Sequence, residues 1–227
     1  MKYSYLLIDL CTILFPIALS FDKRVQFRKD WKYIWPGMAI TGLVFLGWDI
    51  LFITKGVWSF NDNYIIGLKF FGLPVEEILF FLTVPFACLF IYACLNYYVK
   101  WQVSDKVTAV ISNLLIVLSA CLLVDFYNRL YTLITFSLLL LLIIWMQYVS
   151  RQAWLNNFYR TYIIILIPFY IINGILTSLP IVIYNNSQNM GLRAGSIPFE
   201  DHFYCMALLL MNIGFFEYFR RKNQPAE

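Results

Sequence analysis

Apolar runs of membrane-spanning length alternate with short polar or basic stretches along the whole chain. A helix that crosses a bilayer needs about 20 mostly apolar residues. Seven runs meet that need, at roughly 3–20, 34–54, 75–99, 107–124, 130–148, 161–179 and 199–219, and each predicts a helix. The first carries Asp9, is too long and acidic for a cleavable signal sequence, and is followed by no small-residue cleavage site; it is expected to be a permanent helix. Two connections break the pattern. Segments 55–74 and 180–198 are unusual loops, and the first mixes polar residues with Trp58, Phe60, Tyr64, Phe70 and Phe71, aromatics that prefer the headgroup boundary. Irregular backbone at that depth must be covered by protein, so both segments are expected to fold back as caps over the bundle.

Composition agrees with lipid as the main solvent. The chain of 227 residues is 61% hydrophobic and 13% charged, with mean hydropathy +0.71, more apolar surface than a soluble fold of this size could cover. The 17 basic residues divide unevenly between the two sides of the predicted spans, 12 against 5. Lys23, Arg24, Arg28, Lys29, Lys32, Lys100, Lys106, Arg151, Arg160, Arg220, Arg221 and Lys222 form the rich side; Lys2, Lys55, Lys69, Arg129 and Arg193 form the other. The positive-inside rule then puts the N-terminus outside and the tail in the cytoplasm of the cell membrane. The net charge of +4 is a topology signal and not a nucleic-acid footprint. All five cysteines lie within spans without a CxxC pair, which suggests buried small hydrophobes and neither disulfides nor a metal site.

A motif occurs twice, 124 residues apart, and needs no gap to align. Asn61, Gly67-Leu68-Lys69, Pro74, Glu76-Glu77 and Phe80 return as Asn185, Gly191-Leu192-Arg193, Pro198, Glu200-Asp201 and Tyr204, and Asp49 falls opposite Asn173. Only five positions are identical between Asp49 and Phe80, but four of them fall in the last fourteen positions, beside the conservative pairs Lys69/Arg193, Glu77/Asp201 and Phe80/Tyr204. Equivalent spans are separated by an even number of helices, so both copies are expected to point the same way through the membrane. The predicted fold is an all-α membrane protein of about seven transmembrane helices in a parallel 3+1+3 repeat. Residues 1–106 form the first repeat, 107–129 the linker helix and 130–227 the second.

Each copy places two adjacent acids just behind a proline at the head of an apolar span. Acids in a first turn complement the helix dipole, and that alone would explain them in a soluble protein. Ionisable groups at membrane depth are costly, however, and four of the thirteen acids are placed this way. Glu76, Glu77, Glu200 and Asp201 are therefore the candidate acid–base residues, expected to line one apolar, aromatic-walled cavity. Phe80 and Tyr204 lie four residues after Glu76 and Glu200, where a ring face could hold a cation. Lys69 and Arg193 could each pair with one acid and keep it ionised while its neighbour holds a proton. Asp49, Asn173, Asn61 and Asn185 lie toward the same face as the acids. His202, the single histidine, has two readings: a proton-handling group, by its intrinsic range, or an ordinary hydrogen-bonded helix residue.

Absences narrow the chemistry. There is no G-x-G-x-x-G unit, no Asp-rich pair of the kind that holds magnesium diphosphate, and no lysine in the last predicted span for a retinal Schiff base.

The residues resemble the membrane-integral lycopene cyclases of the two-subunit or fused type. Trp48-Asp49, Gly56-Val57-Trp58, Asn61, Gly67 and Leu73 through Phe81 are similar to the first cyclase domain of that family. Tyr184-Asn185, Gly191-Leu192-Arg193, Gly195, Ile197 through Asp201 and Phe203-Tyr204 are similar to the second, with Asp201 in place of glutamate and His202 after it. The resemblance implies an intramolecular lyase or isomerase of carotenoid biosynthesis. It would close the ψ-ends of lycopene, a lipid-soluble polyene, to β-rings by protonation, without cofactor or metal. The competing reading is a proton-coupled small-solute transporter, since parallel three-helix repeats also build carriers. Acids at helix heads rather than near the midplane weigh against it.

Overall fold

The computed structural model describes residues 2–223. In chain order, helix α1 spans Ser4–Leu19, and a 3-10 turn at Phe27–Asp30 leads into α2, Trp31–Thr54. Strand β1 (Trp58–Phe60) and the hairpin β2 (Lys69–Phe70) and β3 (Leu73–Pro74) precede α3, Val75–Tyr98. Helices α4 (Asp105–Asp125), α5 (Leu130–Ile144, prolonged by a π turn at Trp145–Val149) and α6 (Leu155–Ser178) follow. Strand β4 (Val182–Tyr184) and the hairpin β5 (Arg193–Ala194) and β6 (Ile197–Pro198) then lead into α7, Phe199–Lys222.

The seven expected helices are all present, and six are long and apolar enough to cross a membrane. Helix α1 is the exception. Its 16 residues reach about 24 Å, short of a hydrocarbon core of about 30 Å. Its first turn is completed by the cap, where the Tyr5 N–H donates to the Tyr64 carbonyl at 3.2 Å. The α5 start repeats this contact, with the Tyr131 N–H donating to the Gln188 carbonyl at 2.9 Å.

The caps are more ordered than the expected loops. Asn61 and Asn185 each bend the chain: their Oδ1 atoms accept from the N–H groups of Asn63 (3.1 Å) and Ser187 (3.0 Å), an Asx turn in both copies. A two-residue hairpin follows, pairing Lys69 with Pro74 and Arg193 with Pro198. The first turn places both Phe71 and Gly72 at positive φ, 51° and 87°, while the second has positive φ at Gly195, 66°. A two-residue hairpin demands such angles to match strand twist, which glycine adopts freely and Phe71 does not. Each proline ends a strand, where its missing N–H is no loss, and Pro74 is the N-cap of α3 rather than its first helical residue. The first free helical N–H is taken by the hairpin base: Val75 donates to Leu68 O and Phe199 to Leu192 O, both at 3.0 Å.

The chain divides into two compact units. One holds the residues up to Leu51, Phe60–Lys100 and the chain from Leu208; the other holds Phe52–Ser59 and Trp101–Ala207. In the first, α1 packs on α3, and Phe27 is wedged against Phe86 and Phe90 with centroids 5.5 and 5.4 Å away. Gly37 of α2 lets Phe215 of α7 approach so closely that an added Cβ would lie 2.6 Å from the phenylalanine Cβ. Small residues serve this purpose where lipid-embedded helices meet. In the second, α4 lies along α5, and Ser112 bonds Tyr159 (2.8 Å) and Gln147 (3.1 Å) to tie α4 to α6 and the α5 extension. Ser104 caps α4 by accepting from the Val107 N–H at 3.4 Å. Buried Arg160 donates to the Trp101 carbonyl at 2.6 Å, so its charge is met by backbone rather than lipid.

Candidate active site

Both acid pairs are buried, and each is held by the same construction. Glu76 and Glu200, on the first turns of α3 and α7, are 0% exposed. In each, Oε1 accepts a backbone N–H from ten residues upstream: Ile66 to Glu76 at 2.6 Å, Met190 to Glu200 at 2.7 Å. Thr132 adds a hydroxyl donor to the same Glu200 oxygen at 2.6 Å. In each, Oε2 is buried and has no hydrogen-bond partner among the described residues. The cap therefore fixes one carboxyl oxygen and leaves the other buried without a partner.

The second acid of each pair meets a tyrosine. Tyr5 of α1 donates to Glu77 Oε2 at 2.5 Å, and Tyr131 of α5 donates to Asp201 Oδ1 at 2.6 Å. Beyond that shared pair of tyrosines the two sites part. Glu77 also forms a side-chain hydrogen bond with Asp49, buried at 0% exposure on α2. Asp9, one turn along α1 from Tyr5 and 1% exposed, adds a further carboxyl; its Oδ1 receives the Thr83 hydroxyl at 3.4 Å. Asp201 instead takes a second tyrosine donor, Tyr184, at 2.9 Å.

Aromatic walls differ likewise. Phe80 packs edge-on against Tyr5 at 6.3 Å, and Phe60 stacks on Tyr5 at 6.4 Å. In the second unit Trp58 stands amid Tyr131, Tyr184 and Tyr204, with centroids at 5.2, 5.7 and 6.2 Å. Asp201 thus accepts from two members, Tyr131 and Tyr184, of a cluster of four electron-rich rings.

Several residues expected near the acids serve the caps. Lys69 does not pair with Glu76 or Glu77: its Nζ binds Asp62 at 2.7 Å, on the exposed side of the loop. Arg193 donates to the Asn186 side chain at 2.9 Å and to the Ser196 carbonyl at 2.8 Å. The two cations thus repeat one device, bracing their own loop across seven residues. Asn61 and Asn185 are the turn residues already described, and Asn185 further donates to the Gly56 carbonyl at 2.9 Å. Asn173 is half-buried on α6, its carbonyl accepting from Thr177 at 2.7 Å. His202 lies on α7 between the Tyr170 hydroxyl (2.9 Å) and the Phe199 carbonyl (3.1 Å), with its ring against Phe169. Among the described residues, no group of three or more His, Cys, Asp and Glu side chains is placed to hold a metal ion.

Tyr5, Tyr131, Asp9, Thr132, Tyr184 and Trp58 were not legible as site residues in the motif. Tyr5 and Tyr131 are equivalent in structure but 126 residues apart, not 124. A two-residue shift between the helices of the two halves hides them from a gapless alignment.

The fold and these sites define a class: a helical, multi-pass membrane protein with a twice-built pair of buried acids. The family model described as lycopene cyclase matches the chain at residues 2–95 and 128–219, and the protein belongs to that family. The two matched stretches begin 126 residues apart and end 124 apart, the same shift that separates the tyrosines from the acids. A curated protein of Podospora anserina, a "Bifunctional lycopene cyclase/phytoene synthase", is 28% identical over 102 residues, which is 42% of this chain and 16% of the fungal protein. The chain thus spans well under a fifth of that relative's length. No solved structure matches.

Proposed function

We propose that this protein is a lycopene β-cyclase of the cell membrane, with its N-terminus outside and its tail in the cytoplasm, and that Glu76 and Glu200 are its acids. The observation that carries the assignment is the buried, unpartnered Oε2 of both glutamates. An oxygen that protonates carbon has no heteroatom acceptor in the resting site, because its acceptor is a C=C bond. Acid catalysis on a weakly basic alkene needs a proton on the carboxyl oxygen that faces the alkene. Anchoring of Oε1 by a backbone N–H fixes the direction of that proton.

In the proposed reaction the proton adds to the terminal C=C of a ψ-end, and the resulting cation is attacked by a neighbouring C=C. That attack forms the ring C–C bond, and a proton then leaves the adjacent carbon. One proton enters and one departs, so the product is an isomer and no redox partner is consumed. Glu77 and Asp201 are the proposed bases. Each accepts from a tyrosine O–H, an arrangement suited to a group that takes up a proton. The faces of Phe80, Trp58 and Tyr204 favour the cation between the two proton transfers. Membership of the lycopene cyclase family and the lipid-embedded acids support lycopene, a polyene that partitions into the bilayer, as the substrate.

The test is incubation of the purified, detergent-solubilised protein with lycopene and no soluble cofactor. Conversion to a product of unchanged mass carrying β-rings is the expected result. Absence of conversion by folded protein in lipid, with proton-driven solute uptake in its place, would favour the carrier reading.

A further inference from the structure

Two stacked tyrosines grip the two oxygens of one carboxyl group. Tyr131 of α5 donates to Asp201 Oδ1 at 2.6 Å, and Tyr184 of β4 donates to Oδ2 at 2.9 Å. Their rings lie 6.0 Å apart with planes 24° from parallel. Trp58 meets both edge-on, at 86° to Tyr131 and 70° to Tyr184. From the cap, the Arg193 guanidinium carbon lies 5.9 Å from the centre of the Tyr184 ring, within cation–π range. Rings packed on several sides fix the directions of their hydroxyl groups. A carboxyl group held at both oxygens loses the broad rotation that its terminal bond otherwise has.

Only half of this pincer belongs to the shared frame. Tyr131 matches Tyr5, but Tyr184 falls opposite Phe60, 124 residues earlier, which has no hydroxyl. Phe60 still stacks on Tyr5, at 6.4 Å and 20°, so the ring pair recurs without the second grip. The fold therefore asks for a ring at this place and not for its hydroxyl. The acid differs as well: Asp201 is one methylene shorter than Glu77, whose second partner is Asp49 of α2 and not a tyrosine.

The last step of ring closure gives that hydroxyl a use. Three carbons beside the cationic ring carbon carry hydrogen: the newly joined ring carbon, a ring methylene and a methyl group. Loss of a proton from the first gives a β-ring, from the second an ε-ring and from the third a γ-ring. In each case the C–H electron pair becomes the new C=C and the proton passes to a free lone pair of the carboxylate. The three outcomes differ only in where the base stands. Resting on the reading of Asp201 as base, we infer that the Tyr184 hydroxyl sets the ring type made at the second acid pair. It does so by locking the Asp201 carboxylate in one orientation. Tyr184 acts through Asp201 and is a positioning residue.

The experiment reads ring type as well as rate. Wild-type, Tyr184→Phe and Tyr131→Phe proteins in lipid nanodiscs are given lycopene, and the end groups of the cyclised products are resolved by chromatography and proton NMR. Tyr184→Phe keeps the stacked ring, as Phe60 does, and releases one oxygen of Asp201. Its turnover should fall, and among the rings formed the share of types other than the main wild-type ring should rise about tenfold. That is the scale expected when one hydrogen bond to a charged group is lost. Tyr131→Phe releases the other oxygen and should shift the same ratio. A packing defect alone would lower all ring types together. An unchanged ring ratio in the folded variants, at any turnover, would overturn the inference. Failure of both to accumulate as folded protein would do so too, because the first copy folds with a phenylalanine in this place. Failure of the wild-type protein to cyclise lycopene at all would instead overturn the proposed function.

Discussion

The first acid site is rich in carboxyls and the second in aromatic rings. Asp9 and Asp49 accompany Glu76 and Glu77, whereas Asp201 has Tyr131 and Tyr184 as donors and Trp58 and Tyr204 as walls. What the two share is the frame: the Asx turn, the two-residue hairpin, the backbone N–H on the first acid and the tyrosine on the second. Duplication kept the parts that aim a carboxyl and let the surroundings diverge. On the proposed mechanism, the shared parts aim a proton donor at carbon. The divergent parts give the first site extra carboxyl groups and the second extra rings.

The comparison breaks most readily at the first acids. Glu76→Gln and Glu200→Gln keep size and hydrogen bonding but have no proton to give, so each should lower cyclisation by at least the 10²–10⁴ typical of an acid–base group. Lycopene accumulating in a carotenoid-producing host at normal protein levels is the measurement. Equal and full activity in both variants would return the acids to helix capping.

Next come the tyrosines, where the copies should differ. Among the described residues Tyr5 is the one tyrosine donor to Glu77, which Tyr5→Phe removes, while Tyr131→Phe leaves Asp201 with Tyr184. A hydrogen bond to a charged group is worth about 1.5–3 kcal/mol, so Tyr5→Phe should cost about tenfold in kcat or more. Tyr131→Phe should cost less until combined with Tyr184→Phe. Equal effects of the two single variants would erase the distinction.

A control separates packing from chemistry. Gly37→Val drives a side chain into Phe215 and should destabilise the protein by about 1–3 kcal/mol, visible as a lower melting temperature, with activity per folded molecule unchanged. The smallest effect belongs to Lys69→Met. The Lys69–Asp62 pair is 38% and 76% exposed at its side chains, and such pairs are worth about 0–1 kcal/mol. Activity should fall less than twofold or so, far less than on loss of an acid.

Much of this was legible in the chain. Seven apolar runs gave seven helices, six of them of the length a bilayer sets, and the acid pairs stood out because few acids occur at all. The hairpins were hidden: Phe70-Phe71-Gly72 reads as an aromatic loop, and Phe71 is an unusual residue to hold positive φ. The partner of Lys69 was hidden because ion pairing is a matter of loop closure, although Asp62 and Asn186 lie in the same register as Lys69 and Arg193. Asp9 was visible only as a mark against a signal sequence. Its place beside Glu77 depends on how α1 packs on α3, which no local pattern encodes.

The central claim is that buried carboxyl groups, and no other agent, start ring closure. It is tested most directly by giving lycopene to purified wild-type protein and to the Glu76→Gln/Glu200→Gln double variant, at matched amounts of folded protein and without soluble cofactor. The account predicts isomerisation to a cyclic product of the same mass by the wild type and intact lycopene with the double variant. Ring formation by the double variant at a rate near wild type would contradict it.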